Sequence, residues 1–472
     1  MRNLIRRFRQ LGDDLKKSPF HPLDRDVVRA WNQARPAGRR QPLCLAPFTN
    51  LYFTKSGSVA ACCLNHTSLL GTWPENSIRE IWNGKRATAL RERMRHNDPG
   101  PGCQICKQLF EARCFQQVPA EHFDRMPLLG RRPSMMEFEL DTTCNLECVM
   151  CSGNHSSSIR RNREGLPPRK SPYGPAFAEQ VEEFIPHLHE TRFSGGEPFL
   201  IDPYYRLWEN IVRLNPDCRM VVQTNGTVLT DKAKALLERG NFQLGVSLDS
   251  LDKGTYEIIR KNARFETVME NIEFFSEYSR SAGRPLNLSA CPMRRNWKEI
   301  PRLVEFANSL GASLTLHSVW KPVHESLWNL ESQKIGEILA YLEGFDFPAD
   351  DPIRQANRGV FEGFKGFLRE RTGKAREWEA RRRDGDCRDL ESMERALGEM
   401  FREHVSRDKP LAQSDRPARE RFYREKLGDV LGLASKNGTS ALVLETLTAL
   451  PPDLLFFEFE REPVENIYRD IT

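Results

Sequence analysis

Three cysteines, Cys144, Cys148 and Cys151, stand in the segment CNLECVMC with the spacing C-x3-C-x2-C. They follow the alternating run MMEFEL, which reads as a strand. Three thiolates from one short loop can hold three irons of a 4Fe-4S cluster and leave the fourth without a protein ligand. An open iron is a place for chemistry, whereas a cluster closed by four cysteines mainly carries electrons or stabilises a fold. Six further cysteines lie within residues 44–114. Clustered C-x2-C and C-x3-C-x2-C spacings favour metal sites over disulfides. Cys218, Cys291 and Cys387 stand alone and read as ordinary thiols.

The array resembles that of the radical S-adenosylmethionine (SAM) enzymes. The match continues in FSGGEP, which sets Gly195, Gly196, Glu197 and Pro198 after a second short apolar run. The resemblance implies that the open iron chelates the amino and carboxylate groups of SAM. It also implies that the glycine-rich segment lies along the methionine. An electron from the cluster would cleave SAM, and the resulting radical would take a hydrogen atom from a substrate. The residue before the third cysteine is commonly aromatic in that family and is Met150 here. Methionine can still offer a polarizable contact.

The first cysteine group runs from Cys44 over twelve residues to Gly57, then over four to Cys62 and Cys63, with Cys103 and Cys106 far downstream. This order resembles the opening of SPASM and twitch domains, the auxiliary iron–sulfur modules of radical SAM enzymes. The resemblance implies one auxiliary 4Fe-4S cluster on Cys44, Cys62, Cys103 and Cys106, with Cys63 and Cys114 in reserve. Too few cysteines follow Cys106 for a second auxiliary cluster. The module familiarly follows the barrel, and here it precedes it. Gly57 makes mechanical sense as the turn of a hairpin, NLYFTKSGSVAAC. A zinc held by four cysteines uses similar pairs and is the structural alternative at either site.

The elements that must position these residues are legible over 134–320. Six strand candidates fall at 134–140, 189–194, 218–224, 242–248, 286–291 and 312–318, and helical stretches separate the later ones. Six units are too few for a closed eightfold barrel. They fit what the resemblance implies: an α/β fold, a partial (β/α)6 radical-SAM barrel, here with an N-terminal cysteine-rich module and a helical C-terminal extension. Parallel sheets bind ligands beyond the carboxyl ends of their strands. The candidate residues obey that rule. The Cys144 loop follows strand one, GGEP strand two, Asn225 strand three and Asp249 strand four. The expected division is a basic arm at 1–42, the auxiliary module at 43–130, the radical SAM core at 131–325 and the extension at 326–472. Residues 152–175 read as a long polar loop over the cluster.

Weaker candidates for SAM contact are Asn225, Ser247, Asp249 and Arg260. Each has a bland alternative: a turn asparagine, helix-capping residues and a surface arginine, respectively. Arg260 could also pair with Asp249. Cys291 and His317 end two strands and could act as proton or hydrogen-atom donors, or simply be a core thiol and a structural histidine.

With 472 residues, 39% hydrophobic and 29% charged, the chain is long enough for two or three domains. No apolar run is long enough to span a membrane. The basic N-terminus lacks an apolar signal core. Residues 1–42 hold 11 Arg or Lys against 4 Asp, so this arm carries the excess positive charge. Nothing else suggests nucleic acid. The expectation is a cytoplasmic enzyme whose partners are SAM, an electron donor such as flavodoxin or ferredoxin, and a substrate. A peptide or protein side chain is favoured as that substrate, with a carbohydrate or other small molecule as the alternative. A non-catalytic metal-binding scaffold is the rival from another class.

Overall fold

A computed structural model describes residues 21–35, 42–65, 67–100, 102–115, 118–319, 321–322, 324–328, 330–384, 390–407 and 416–449, with 455–456, 459, 464 and 467–468. Cys387 and most of the basic arm lie outside these residues. The chain forms two compact units. The first takes its residues from the chain up to Glu147, from Cys151–Ser247 and from Asn262–Leu286. The second takes Cys148–Met150, Leu248–Lys261 and the chain from Asn287 onward.

The first unit is built on strands β1 (Asn50–Phe53), β2 (Ser58–Ala60), β3 (Gly71–Thr72), β4 (Met135–Phe138), β5 (Glu190–Phe193), β6 (Arg219–Thr224) and β7 (Phe242–Ser247). Their order in the sheet is β3-β2-β1-β4-β5-β6-β7. The hairpin β1–β2 is antiparallel, and β1, β4, β5, β6 and β7 run parallel. Gly57 turns the hairpin at φ +88°, and a Cβ there would stand 2.3 Å from the carbonyl oxygen of Trp73.

Side chains alternate between the two faces of a strand. On one face Phe53, Phe138 and Phe193 are register partners across β1, β4 and β5. Their rings stack at 5.6 and 5.1 Å, and Phe177 and Trp208 from covering helices meet them edge-on. Such aromatic pairs contribute about 0.5–1.5 kcal/mol each beyond area burial. The intervening positions, Tyr52, Glu137, Glu139 and Arg192, therefore share the opposite face.

The second unit holds β8 (Asn287–Ala290) and β9 (Ser313–Leu316), again parallel. Helix Ile300–Leu310 joins them and stops at Gly311, whose φ of +63° is left-handed. Asn357, on the long helix Pro352–Asp384, accepts from Leu314 N–H at 2.7 Å and so fixes β9. Helices Leu390–Arg407, Arg416–Lys436 and Ser440–Ala449 carry their own apolar cluster around Phe401, Tyr423 and Val430.

All six expected strands of the parallel series occur, four in the first unit and two in the second. Residues 152–175 are not all loop: Ser156 caps a helix at Ser157–Asn162 by accepting from Ile159 N–H. The SSSIRRN run is short and polar, so hydrophobic periodicity could not reveal it. No helix among the described residues is long and apolar enough to cross a membrane.

Candidate active site

Residues 141–143, which lead into the 144–151 loop, are held by backbone contacts from GGEP. Gly196 N–H donates to Asp141 O at 3.2 Å and Glu197 N–H to Thr143 O at 2.7 Å. Contact this close needs glycine. A Cβ on Gly196 would lie 2.0 Å from Thr143 O, and one on Gly195, at φ +111°, 2.7 Å from Asp141 O. Pro198 opens the 3-10 turn Pro198–Leu200. Glu197 is fully buried, and its carboxylate accepts from Phe199 N–H (3.1 Å), Thr224 Oγ1 (2.7 Å) and Asn225 N–H (2.7 Å). It thus ties GGEP to the carboxyl end of β6.

Asn225 does more than shape a turn. Its Nδ2 donates to Asn145 Oδ1 at 3.1 Å and lies 3.9 Å from Cys144 Sγ, which Leu146 N–H approaches at 3.5 Å. Ser247 Oγ accepts from Gln223 Nε2 at 3.0 Å. Glu147, buried, accepts from Asn162 and Asn262 and anchors the same loop.

In the second unit Arg260 Nε donates to the buried Asp249 Oδ2 at 2.7 Å, and Nη1 lies 3.9 Å from Cys148 Sγ. Burial pulls the Arg260 guanidinium down, but Asp249 and Cys148 together hold it well above its ordinary value. The pairing with Asp249, one of the readings the sequence offers for Arg260, is present, and Arg260 is not a surface arginine. The other carboxylate oxygen of Asp249 accepts from Cys291 N–H at 2.7 Å. Asn296 binds the carbonyls of both Asp249 and Cys291. Burial pushes the Cys291 thiol up to about 12, so it is a thiol at neutral pH. Burial lowers the His317 imidazole, with Asp249 opposing. Met150 packs with Ile259, Met293 and Val319.

The auxiliary residues line one cavity of about 240 Å3 in the first unit: Cys44, Cys62, Cys63, Cys103 and Cys106, with Glu137, Arg192 and His122 also on its wall. Cys44 Sγ accepts from Ala46 N–H at 3.4 Å, and Cys103 Sγ from Asn65 Nδ2 at 3.4 Å. Cys103 is the N-cap of helix Gln104–Glu111, and Cys106 sits in its first turn, so both lie at the positive end of the helix. Burial pushes the Cys44 thiol up to about 12 and that of Cys106 to about 11. Thiolates buried this way need a cation to hold them, which fits a metal group. Among the described residues no three His, Cys, Asp or Glu side chains close up as around a single ion. Cys63 lines the cavity but is exposed, and Cys114 is exposed and outside its lining.

One group escaped sequence reasoning. Glu139, one residue past β4, accepts from Tyr52 Oη and Lys55 Nζ, with His155 Nε2 at 3.7 Å. Burial pushes its carboxyl up, but Lys55 and the hydrogen bonds outweigh this and keep it below its ordinary value. Polar residues at alternate positions of β1 and β4 were the available signal.

Residues 139–307 match the family model of the radical SAM superfamily. The chain carries a radical SAM domain. Residues 44–107 match SPASM, an iron-sulfur cluster-binding domain, so the auxiliary module does precede the radical SAM domain. Among curated relatives, the GTP 3',8-cyclase of Saccharophagus degradans is 23% identical over 53% of this chain and 70% of its own length. The AdoMet-dependent heme synthase of Methanosarcina barkeri is 30% identical over 40% of this chain and 50% of its own. The chain thus spans about half the length of the second relative. The solved structure of Streptococcus suis SuiB bound to precursor peptide SuiA is 13% identical and covers 52% of this chain and 59% of that one, at a TM-score of 0.34. The radical SAM relatives are named as enzymes, and the two domains imply SAM and 4Fe-4S clusters as cofactors.

Proposed function

We propose that the protein is a radical SAM enzyme that reductively cleaves SAM at a 4Fe-4S cluster held by Cys144, Cys148 and Cys151. When bound, the cluster and SAM supply a radical able to remove a hydrogen atom from the substrate. The chain's own residues prepare that chemistry. Gly195 and Gly196 let the backbone lie flat along the cysteine loop, and Glu197 anchors that backbone to β6. Asn225 and Arg260 bring donors to the sulfurs of Cys144 and Cys148, which stabilises thiolate. The observation that carries the reading is the pair of backbone bonds from Gly196 and Glu197 into 141–143, because it links the two motifs in one structural device.

Cys44, Cys62, Cys103 and Cys106 hold the single auxiliary cluster in this reading, and a flavodoxin or ferredoxin supplies the electron. The division into arm, module, core and extension, and a cytoplasmic setting, go with it. A peptide or protein side chain is the favoured substrate, on the resemblance to SPASM-bearing enzymes that modify peptides. A small molecule is the second reading, supported by relatives named for GTP and heme chemistry.

The test is anaerobic reconstitution. The protein should hold about eight irons and, once reduced, convert SAM to 5'-deoxyadenosine and methionine. Alanine at Cys144, Cys148 and Cys151 together should abolish cleavage and leave about half the iron. Zinc without SAM cleavage would instead establish the scaffold.

A further inference from the structure

Residues 152–175 carry five cationic side chains, Arg160, Arg161, Arg163, Arg169 and Lys170, against one carboxylate, Glu164. Such a segment would ordinarily be a solvated surface loop. This one is fastened at both ends. Ser156 Oγ donates to Leu146 O (2.6 Å), Ser157 N–H to Thr142 O (2.7 Å) and Ser158 Oγ to Cys144 O (2.8 Å). At the far end Ser171 Oγ donates to Leu140 O (3.0 Å) and Tyr173 Oη to Thr54 O (2.7 Å). The segment is therefore part of the wall around Cys144.

Two of its arginines are half-buried and have no ion-pair partner among the described residues. Arg160 Nε donates to Pro167 O and Arg169 Nη2 to Asn154 Oδ1 at 3.2 Å, and among the described residues neither forms an ion pair. Arg169 Nε is shielded from solvent and meets no acceptor. Burial and then the neighbouring charge of Arg160 pull the Arg169 guanidinium down, against the weaker pull of Glu139. Two carboxylates lie near, and both are engaged: Glu139 by Lys55 and Tyr52, and Glu164, four residues past Arg160, by the N–H of Gly153 at 2.7 Å. Two repelling guanidinium groups with an unmet donor are relieved by an oxyanion, which accepts from such forks bidentately.

We propose that Arg160 and Arg169 receive an anionic group of the substrate, a carboxylate or a phosphate. That the anion belongs to a substrate rests on the radical SAM reading, whereas the anion site itself does not. The probes are inorganic phosphate and succinate, titrated into reconstituted protein at ionic strength matched with chloride. At least one should bind above the chloride background, and its identity tells phosphate from carboxylate. Arg160→Gln and Arg169→Gln should each weaken binding about tenfold. Arg169→Lys, which keeps the charge and loses the Nε donor, should fall between, and Arg161→Gln should leave binding unchanged. SAM affinity should stay at the wild-type value throughout. The proposal is overturned if neither probe exceeds chloride, if the Gln variants bind as tightly as wild type, or if they lose SAM affinity, because the arginines would then serve the cofactor. Anion binding in a protein that never cleaves SAM would leave the site standing and remove the radical reading.

Discussion

Gly196→Ala tests the join between the two motifs most directly. The added Cβ would sit 2.0 Å from Thr143 O, 2.5 Å from Thr143 C and 2.7 Å from Thr142 C. All three are backbone atoms, so no side chain can swing aside. Restoring an ordinary contact of 3.4 Å needs a shift of about 1.4 Å (3.4 − 2.0). Such a shift stretches the 2.7 Å bond from Glu197 N–H to Thr143 O to about 4 Å, past hydrogen-bonding range. The 3.2 Å bond from Gly196 N–H to Asp141 O goes with it. Two backbone bonds cost about 1 kcal/mol each, and overpacking adds about 1–3 kcal/mol. The expected loss is about 3–5 kcal/mol, which in urea lowers the midpoint by about 1–2 M at an m of about 2.5 kcal/mol/M. The measurement is urea unfolding of both proteins at equal iron loading, with iron retained on Cys144, Cys148 and Cys151 as a second readout. A midpoint within about 0.4 M of wild type, with full iron, would show that the loop and GGEP are not locked together.

Arg260→Ala leaves Asp249 buried without its countercharge and should cost about 3–5 kcal/mol; an unchanged thermal midpoint would refute the pairing. Glu190 gives a pH signature. Burial pushes its carboxyl up, but the contact from His122, 3.3 Å away, and the charge and hydrogen bond of Arg192 hold it at about 2, below the ordinary 4.5. A depressed acid stabilises above its unfolded value and loses that contribution as pH falls through its folded one. The stability gap between wild type and Glu190→Gln should therefore be full above pH 4.5 and close towards pH 2. Its size should be at most about 3 kcal/mol, since Arg192 and Arg219 are well exposed. Cys103→Ala should empty the auxiliary site of iron, whereas Cys114→Ala should not, and iron analysis of the two variants decides it.

The sequence made the local devices legible. C-x3-C-x2-C and the six strands depend on neighbours within a few residues, so spacing and alternation reveal them, and GGEP is picked out by the family resemblance. What it hid depends on register between distant segments. Glu197 reads as part of the methionine-binding segment, and the bonds its carboxylate accepts from Phe199, Thr224 and Asn225 are not legible there. The pairing of Asp249 with Arg260, eleven residues on, is legible in the sequence, whereas the bond to Asp249 from Cys291 N–H, 42 residues away, is not. Tyr52 and Glu139 lie 87 residues apart, and only the parallel pairing of β1 with β4 brings them together.

That pairing also bears on whether the cysteine-rich module is a detachable appendage. Parallel strands cannot be joined by a tight turn and need a long crossover. The crossover from β1 to β4 is the rest of the module, including Cys62, Cys103 and Cys106. The module is thus woven into the sheet. Deleting residues 1–130 would strip Phe53 from the stack with Phe138 and Phe177. It would also bare the edge of β4. Glu137 would lose Asn50, and Glu139 would lose Tyr52 and Lys55, leaving two carboxylates short of partners on one face. An exposed apolar edge strand with that loss of aromatic packing is an aggregation site. Residues 131–472 should therefore be insoluble when expressed alone. Truncation after residue 384 removes helices that share an apolar cluster of their own, and should leave a soluble protein with both iron sites. A soluble, monomeric 131–472 fragment that still binds iron at Cys144, Cys148 and Cys151 would mean that β1 is a guest in the sheet and that the auxiliary module evolved as a separable attachment.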